Sequence, residues 1–169
     1  GGDTHAAADI ICYMNGYNDN RREAYFSKSQ WEGIDYVGLR RGWEVFDRTW
    51  GFNFSGLGLK ANDPLIWMNA AEVAFLRAEG AAVHGFDMGG TAESFYNRGI
   101  ELSFEQWGAA GAADYMADGA SLPAAYNDPS EQNPYTGSVS DITIKWDESA
   151  SAERKLERII TQKWIANYY

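Results

Sequence analysis

The chain is poor in several residue types that chemistry usually recruits. Its single cysteine, Cys12, excludes an intrachain disulfide, and His5 and His84 are the only histidines in 169 residues. A metal centre here would have to rest on carboxylates. No apolar run reaches the roughly 18 residues that a membrane-spanning helix needs. Basic residues are scarce, 14 against 24 acidic ones, for a formal charge of −10. This balance speaks against nucleic acid and anionic membrane surfaces as partners, since phosphate recognition requires a basic footprint. Also missing are a G-x-S-x-G elbow, a glycine-rich phosphate loop, an H-E-x-x-H run and a dinucleotide fingerprint. Cys12, in DIICYM, has no motif spacing to either histidine and reads as a small buried hydrophobe. The start, Gly1-Gly2-Asp3-Thr4, lacks the basic and hydrophobic regions of a secretory signal. The expectation is a chain that is not an enzyme. A carboxylate glycoside hydrolase is the least favoured alternative, because it needs two acids in one cleft and no pair is set apart.

Aromatics are what the chain has in quantity: seven tryptophans, ten tyrosines and eight phenylalanines. They crowd residues 24–54, where Gly and polar spacers separate them, so this segment reads as loops pinned by buried rings. Such rings also suit stacking on sugar faces. Tyr36, Trp43, Trp50 and Phe52 are the candidate glycan contacts. The pairs Arg21-Arg22 and Arg40-Arg41 stand out in an acidic chain, as ligands for carboxylates or loop carbonyls.

The clearest periodic stretch is residues 62–108, read as two helices joined by a Gly-rich turn. Asp63 and Pro64 suit a helix start near 64. Apolar residues then recur at three and four positions through Ala78. His84-Gly85 stops the helix, Asp87-Met88-Gly89-Gly90 turns the chain, and Thr91 caps a second helix to about Trp107. Around this hairpin, residues 1–61 are expected to hold aromatic-rich loops and short helices. Residues 109–169 are expected to hold a short helix, a long Pro/Asn/Gly/Ser loop over 121–140, an extended segment at 141–147, and a final helix from Ala152 capped by Ser149 or Ser151. Leu156, Ile159, Ile160, Trp164 and Tyr168 define the apolar face of that last helix. Its Glu153 with Glu157, and Arg154 with Arg158, are like-charged at i,i+4 and require tertiary support. Asp128 and Glu131 in the loop are weak calcium candidates that match no EF-hand spacing. No other cofactor is expected.

The segments YNDNRREAYF (17–26), YVGLRRG (36–42), NDPLIWMNAAEVAFLRAEGAA (62–82), GFDMGGTAESFYNRGIELSFEQWG (85–108), ITIKWDESAS (142–151) and ERKLERIITQKWIANYY (153–169) together resemble the SusD/RagB family. The resemblance implies a mostly α fold of tetratricopeptide-like helix pairs with long irregular loops and little β. It also implies that residues 1–169 are part of a larger helical protein whose anchoring element lies elsewhere. The function it implies is noncatalytic capture of glycans or other nutrients at the bacterial outer-membrane surface. Delivery would be to a SusC-like TonB-dependent transporter, with membrane association through a lipid anchor. A structural or transporter-docking role, with ligand bound elsewhere, is the alternative. The motif positions Arg77, Glu79, Glu157, Arg158, Lys163 and Trp164 are expected to be structural.

Overall fold

Local capping chemistry sets where the helices begin. The computed structural model describes residues 4–42, 47–137 and 139–168. Among them are seven helices: α1 (Ala8–Gly16), α2 (Arg22–Tyr25), α3 (Arg48–Gly51), α4 (Ala70–His84), α5 (Ala92–Gln106), α6 (Ala112–Ala117) and α7 (Ala152–Ala166). The only β features among the described residues are three isolated bridges. The fold is thus mostly α, as the resemblance implied. The chain divides into two compact units, Gly1–Asp63 with Leu122–Asp141, and Pro64–Ser121 with Ile142–Tyr169.

The second unit is a helical body. Asn69, not Asp63, caps α4: its Oδ1 accepts the Ala71 N–H at 2.9 Å, while its Nδ2 donates to the Ala166 carbonyl of α7 at 3.0 Å. The Asp63 carboxylate instead accepts the Lys60 N–H at 2.7 Å, closing a local turn. The expected start near 64 is therefore corrected to 70, because the cap that also reaches α7 satisfies two groups at once. Leu65, Trp67 and Met68 are left 80%, 88% and 83% exposed. At the other end Gly85 closes α4 in the left-handed region with φ 65, and Thr91 caps α5 through the Ser94 N–H at 3.1 Å.

Phe75 of α4 is fully buried, 6.1 Å from the Tyr96 ring of α5. Arg77 crosses the seam, donating to the Met88 carbonyl at 2.6 Å with its guanidinium 3.9 Å from the centre of the Phe95 ring. The Tyr96 hydroxyl donates to the Ile144 carbonyl at 2.6 Å. Residues 141–147 keep the alternation read from sequence, with Ile142, Ile144 and Trp146 buried and Asp141 and Lys145 exposed. They form no strand: the Ile144 carbonyl accepts from the Tyr96 hydroxyl and the Lys145 N–H donates to the Asp118 carbonyl, where a ladder would have placed a neighbouring strand.

Ser151 caps α7. Its inward face keeps Ile159 of the expected one and adds Thr161, Gln162 and Ile165, whereas Ile160 and Trp164 are 49% and 39% exposed. Polar anchors rotate the helix. The Tyr115 hydroxyl donates to Gln162 Oε1 at 3.1 Å, and Arg158 Nη2 to Thr143 Oγ1 at 3.1 Å. The like-charged i,i+4 pairs are relieved by i,i+3 pairing of Arg154 with Glu157 at 2.6 Å. Lys155 meets Glu148 at 2.7 Å. Lys163 approaches Glu79 of α4 at 3.8 Å.

The first unit is irregular and pinned by main-chain bonds. In α1, Ile10, Ile11, Cys12 and Met14 are buried. Burial, followed by the nearby Asp9 charge, pushes the Cys12 thiol up to about 11, which suits the hydrophobe read from sequence. Arg21 and Asp19 are both fully buried and paired at 2.6 Å.

Candidate ligand-binding site

A cleft of about 390 Å³ opens in the first unit where residues 4–6, 25–30 and 52–59 come together. Main-chain bonds fix its walls. Ala6 N–H donates to the Ser55 carbonyl at 2.8 Å, Ser27 N–H to the Gly56 carbonyl at 3.0 Å, Gly58 N–H to the Tyr25 carbonyl at 2.8 Å, and Gln30 N–H to the Asn53 carbonyl at 2.9 Å. The Ser27 hydroxyl accepts the Gly56 N–H at 3.0 Å. These bonds replace a sheet: His5 and Phe26 bridge Gly56 and Leu57 as isolated antiparallel pairs. With so many backbone groups already paired, the cleft is largely pre-formed.

Its apolar surface comes from Phe52, Phe54, Leu57 and Leu59. Phe54 is buried, while Phe52 and Leu59 are 46% and 49% exposed. Two tryptophans buttress Phe54, Trp50 at 4.8 Å and Trp31 at 6.1 Å, both edge-on. Thr4, His5, Lys28 and Gln30 supply polar groups. Lys28 meets Asp35 at 3.0 Å in an exposed pair. The hydrogen bond to Asp35 is the main cause that raises the ammonium's pKa. No carboxylate lines the cleft among the described residues. The arrangement offers an aromatic face with hydrogen-bonding groups beside it, and no acid pair to cleave a glycosidic bond.

The four sequence candidates fall in different places. Phe52 stands in the cleft wall and Trp50 lies behind Phe54. Tyr36 is 7% exposed, with the Arg22 guanidinium 4.6 Å over its ring, so it faces the interior. Trp43 lies outside the described residues. The two calcium candidates differ in setting. Asp128 is buried, and its oxygens accept the Ser130 N–H, the Ser130 hydroxyl and the Asn133 N–H at 3.0, 2.7 and 2.6 Å. Glu131 is exposed with φ 56. Among the described residues no group of three or more His, Cys, Asp or Glu side chains could hold a metal ion. His5, Lys28 and Leu59 were not anticipated, because the pairing of residue 5 with residue 56 leaves no local trace. The spacing of Phe52 and Phe54 was the one available signal.

A family profile described as SusD-like, "Susd and RagB outer membrane lipoprotein", matches residues 2–169. No curated protein matches the chain. Among solved structures, a SusD homolog from Bacteroides uniformis is 59% identical with a TM-score of 0.94, over 97% of this chain and 34% of that one. A SusD-like protein from Bacteroides thetaiotaomicron is 48% identical with a TM-score of 0.88, over 95% of this chain and 34% of its own. A chitin-binding SusD homolog from Flavobacterium johnsoniae is 43% identical with a TM-score of 0.89, over 96% and 34%. This chain thus spans about a third of the length of these relatives. Members of the family bind without catalysing. With a match along nearly its whole length and relatives at this identity, the chain belongs to the SusD-like family.

Proposed function

We propose that the protein captures glycans noncatalytically at the bacterial outer-membrane surface, for delivery to a SusC-like TonB-dependent transporter. The observation that carries this reading is the cleft beside Phe52, where an exposed ring borders Thr4, His5, Lys28 and Gln30. Sugar rings present an apolar C–H face and a rim of hydroxyls, and the two halves of the cleft match those features. The chitin-binding relative supports a polysaccharide ligand. Calorimetric titration with a panel of soluble oligosaccharides tests the reading. Phe52→Ala is expected to weaken a binding oligosaccharide by about 1–2 kcal/mol, on the order of ten-fold. Unchanged affinity in that variant would remove the cleft as the site.

The exposed run at Leu65, Trp67 and Met68 favours a second reading, in which the second unit contributes a docking surface and ligand is held elsewhere. Co-purification with the transporter separates the two: Trp67→Ser would abolish complex formation only under the second.

A further inference from the structure

A second cleft of about 200 Å³ lies in the first unit between α1 and residues Arg40, Tyr126, Tyr135 and Val139, and shares no lining residue with the first. Arg40 lines it together with Tyr126, Tyr135 and Asp9. The Arg40 side chain is fixed at one nitrogen: Nη1 donates to Asn133 Oδ1 at 2.8 Å and to the Pro134 carbonyl at 3.1 Å. Its guanidinium carbon lies 5.2 Å from the Tyr135 ring centre. Among the described residues no carboxylate pairs with Arg40 and no acceptor meets its Nε or Nη2, its side-chain bonds all leaving from Nη1. That free edge is the fork that takes a carboxylate through two parallel bonds.

The neighbouring charges are already engaged. Asp9 is held by Arg41 at 2.8 Å. Asp128, which lies near Tyr126, turns its oxygens to Ser130 and Asn133. Burial, followed by the Asp128 charge, pushes the Tyr126 hydroxyl up to about 12. Tyr135 is 44% exposed and offers a ring face beside the cation.

We propose that this cleft binds a ring-bearing carboxylate, the chemistry of an acidic sugar residue, with the carboxylate on the free edge of Arg40 and the ring against Tyr135. This cleft is separate from the one at Phe52 and gives Arg40 a use, while Arg41 is taken up by Asp9.

Titrating the full chain with glucuronate, glucose and inorganic sulfate tests it. Glucuronate is expected to bind at least about ten-fold more tightly than glucose, with affinity falling as salt rises. Arg40→Lys keeps the charge without the fork and is expected to weaken glucuronate about ten-fold. Tyr135→Leu, which leaves the Arg40 anchors in place, is expected to do the same. Both variants should retain neutral oligosaccharide binding at the first cleft. Equal binding of glucose and glucuronate would overturn the proposal, as would affinity unmoved by either variant. So would sulfate matching glucuronate, which would mean an adventitious anion only, and so would joint loss of acidic and neutral ligands.

Discussion

Asp19→Ala is expected to cost about 3–5 kcal/mol of stability, the effect of breaking a buried ion pair. Arg21 and Asp19 are each fully buried. The guanidinium contributes Nη2 at 2.6 Å and Nε at 2.9 Å to the two carboxylate oxygens, and the Arg21 N–H adds a third bond at 3.0 Å. Removing the carboxylate takes from a buried cation the counter-charge held 2.6 Å away. It also removes an oxygen that shapes the turn between α1 and α2. Relief of self-repulsion acts in the opposite direction in a chain of charge −10, but one surface-scale charge contributes well under the cost of an unpaired buried one. Urea unfolding reads the result as a lowered midpoint, and Asp19→Asn, which keeps one acceptor, should fall between. A midpoint unchanged in the alanine variant would mean that the pair does not hold this unit together.

Phe75→Ala is expected to cost a similar 3–5 kcal/mol, by loss of transfer energy and by the cavity it leaves. The ring is fully buried. It fits so closely over α5 that a Cβ on Gly99 would lie 2.6 Å from one of its carbons. Gly99→Ala alone should therefore destabilise through overpacking, by about 1–3 kcal/mol. The two substitutions should be coupled: in the Phe75→Ala background the added methyl enters space already vacated, and its penalty should vanish or change sign. Strict additivity of the two losses in a double-mutant cycle would show that the ring and the glycine do not share one contact.

These two sites mark the boundary of what a reader of the sequence could see. The α4 and α5 hairpin was legible because its signals are local: Thr91 as a cap, Gly85 as a stop, and apolar residues at helical spacing. Where a local signal competed with a distant partner, the distant partner won. Asn69 displaced Asp63 as the cap because its amide also reaches Ala166, ninety-seven positions along the chain. The same physics rotated α7, whose Gln162 and Arg158 find Tyr115 and Thr143, and turned Ile160 and Trp164 outward. Residues 142–146 alternated correctly yet formed no strand, since alternation reports burial and carries no information about a ladder partner. For the site, Phe52 was legible from aromatic density. Tyr36 has the same composition signal but lies beneath Arg22, and only the fold distinguishes a ring in a wall from a ring in a core. The cleft's polar side depends on His5 meeting Gly56.

Heteronuclear NMR titration of the chain with the tightest-binding neutral oligosaccharide of the panel locates the ligand residue by residue. Saturable shifts are expected to cluster at Thr4, His5, Lys28, Gln30, Phe52 and Leu59, with the amides of α4 and α5 unmoved. Shifts centred on residues 65–68 or on α7 instead, with the Phe52 cleft silent, would contradict capture at that cleft.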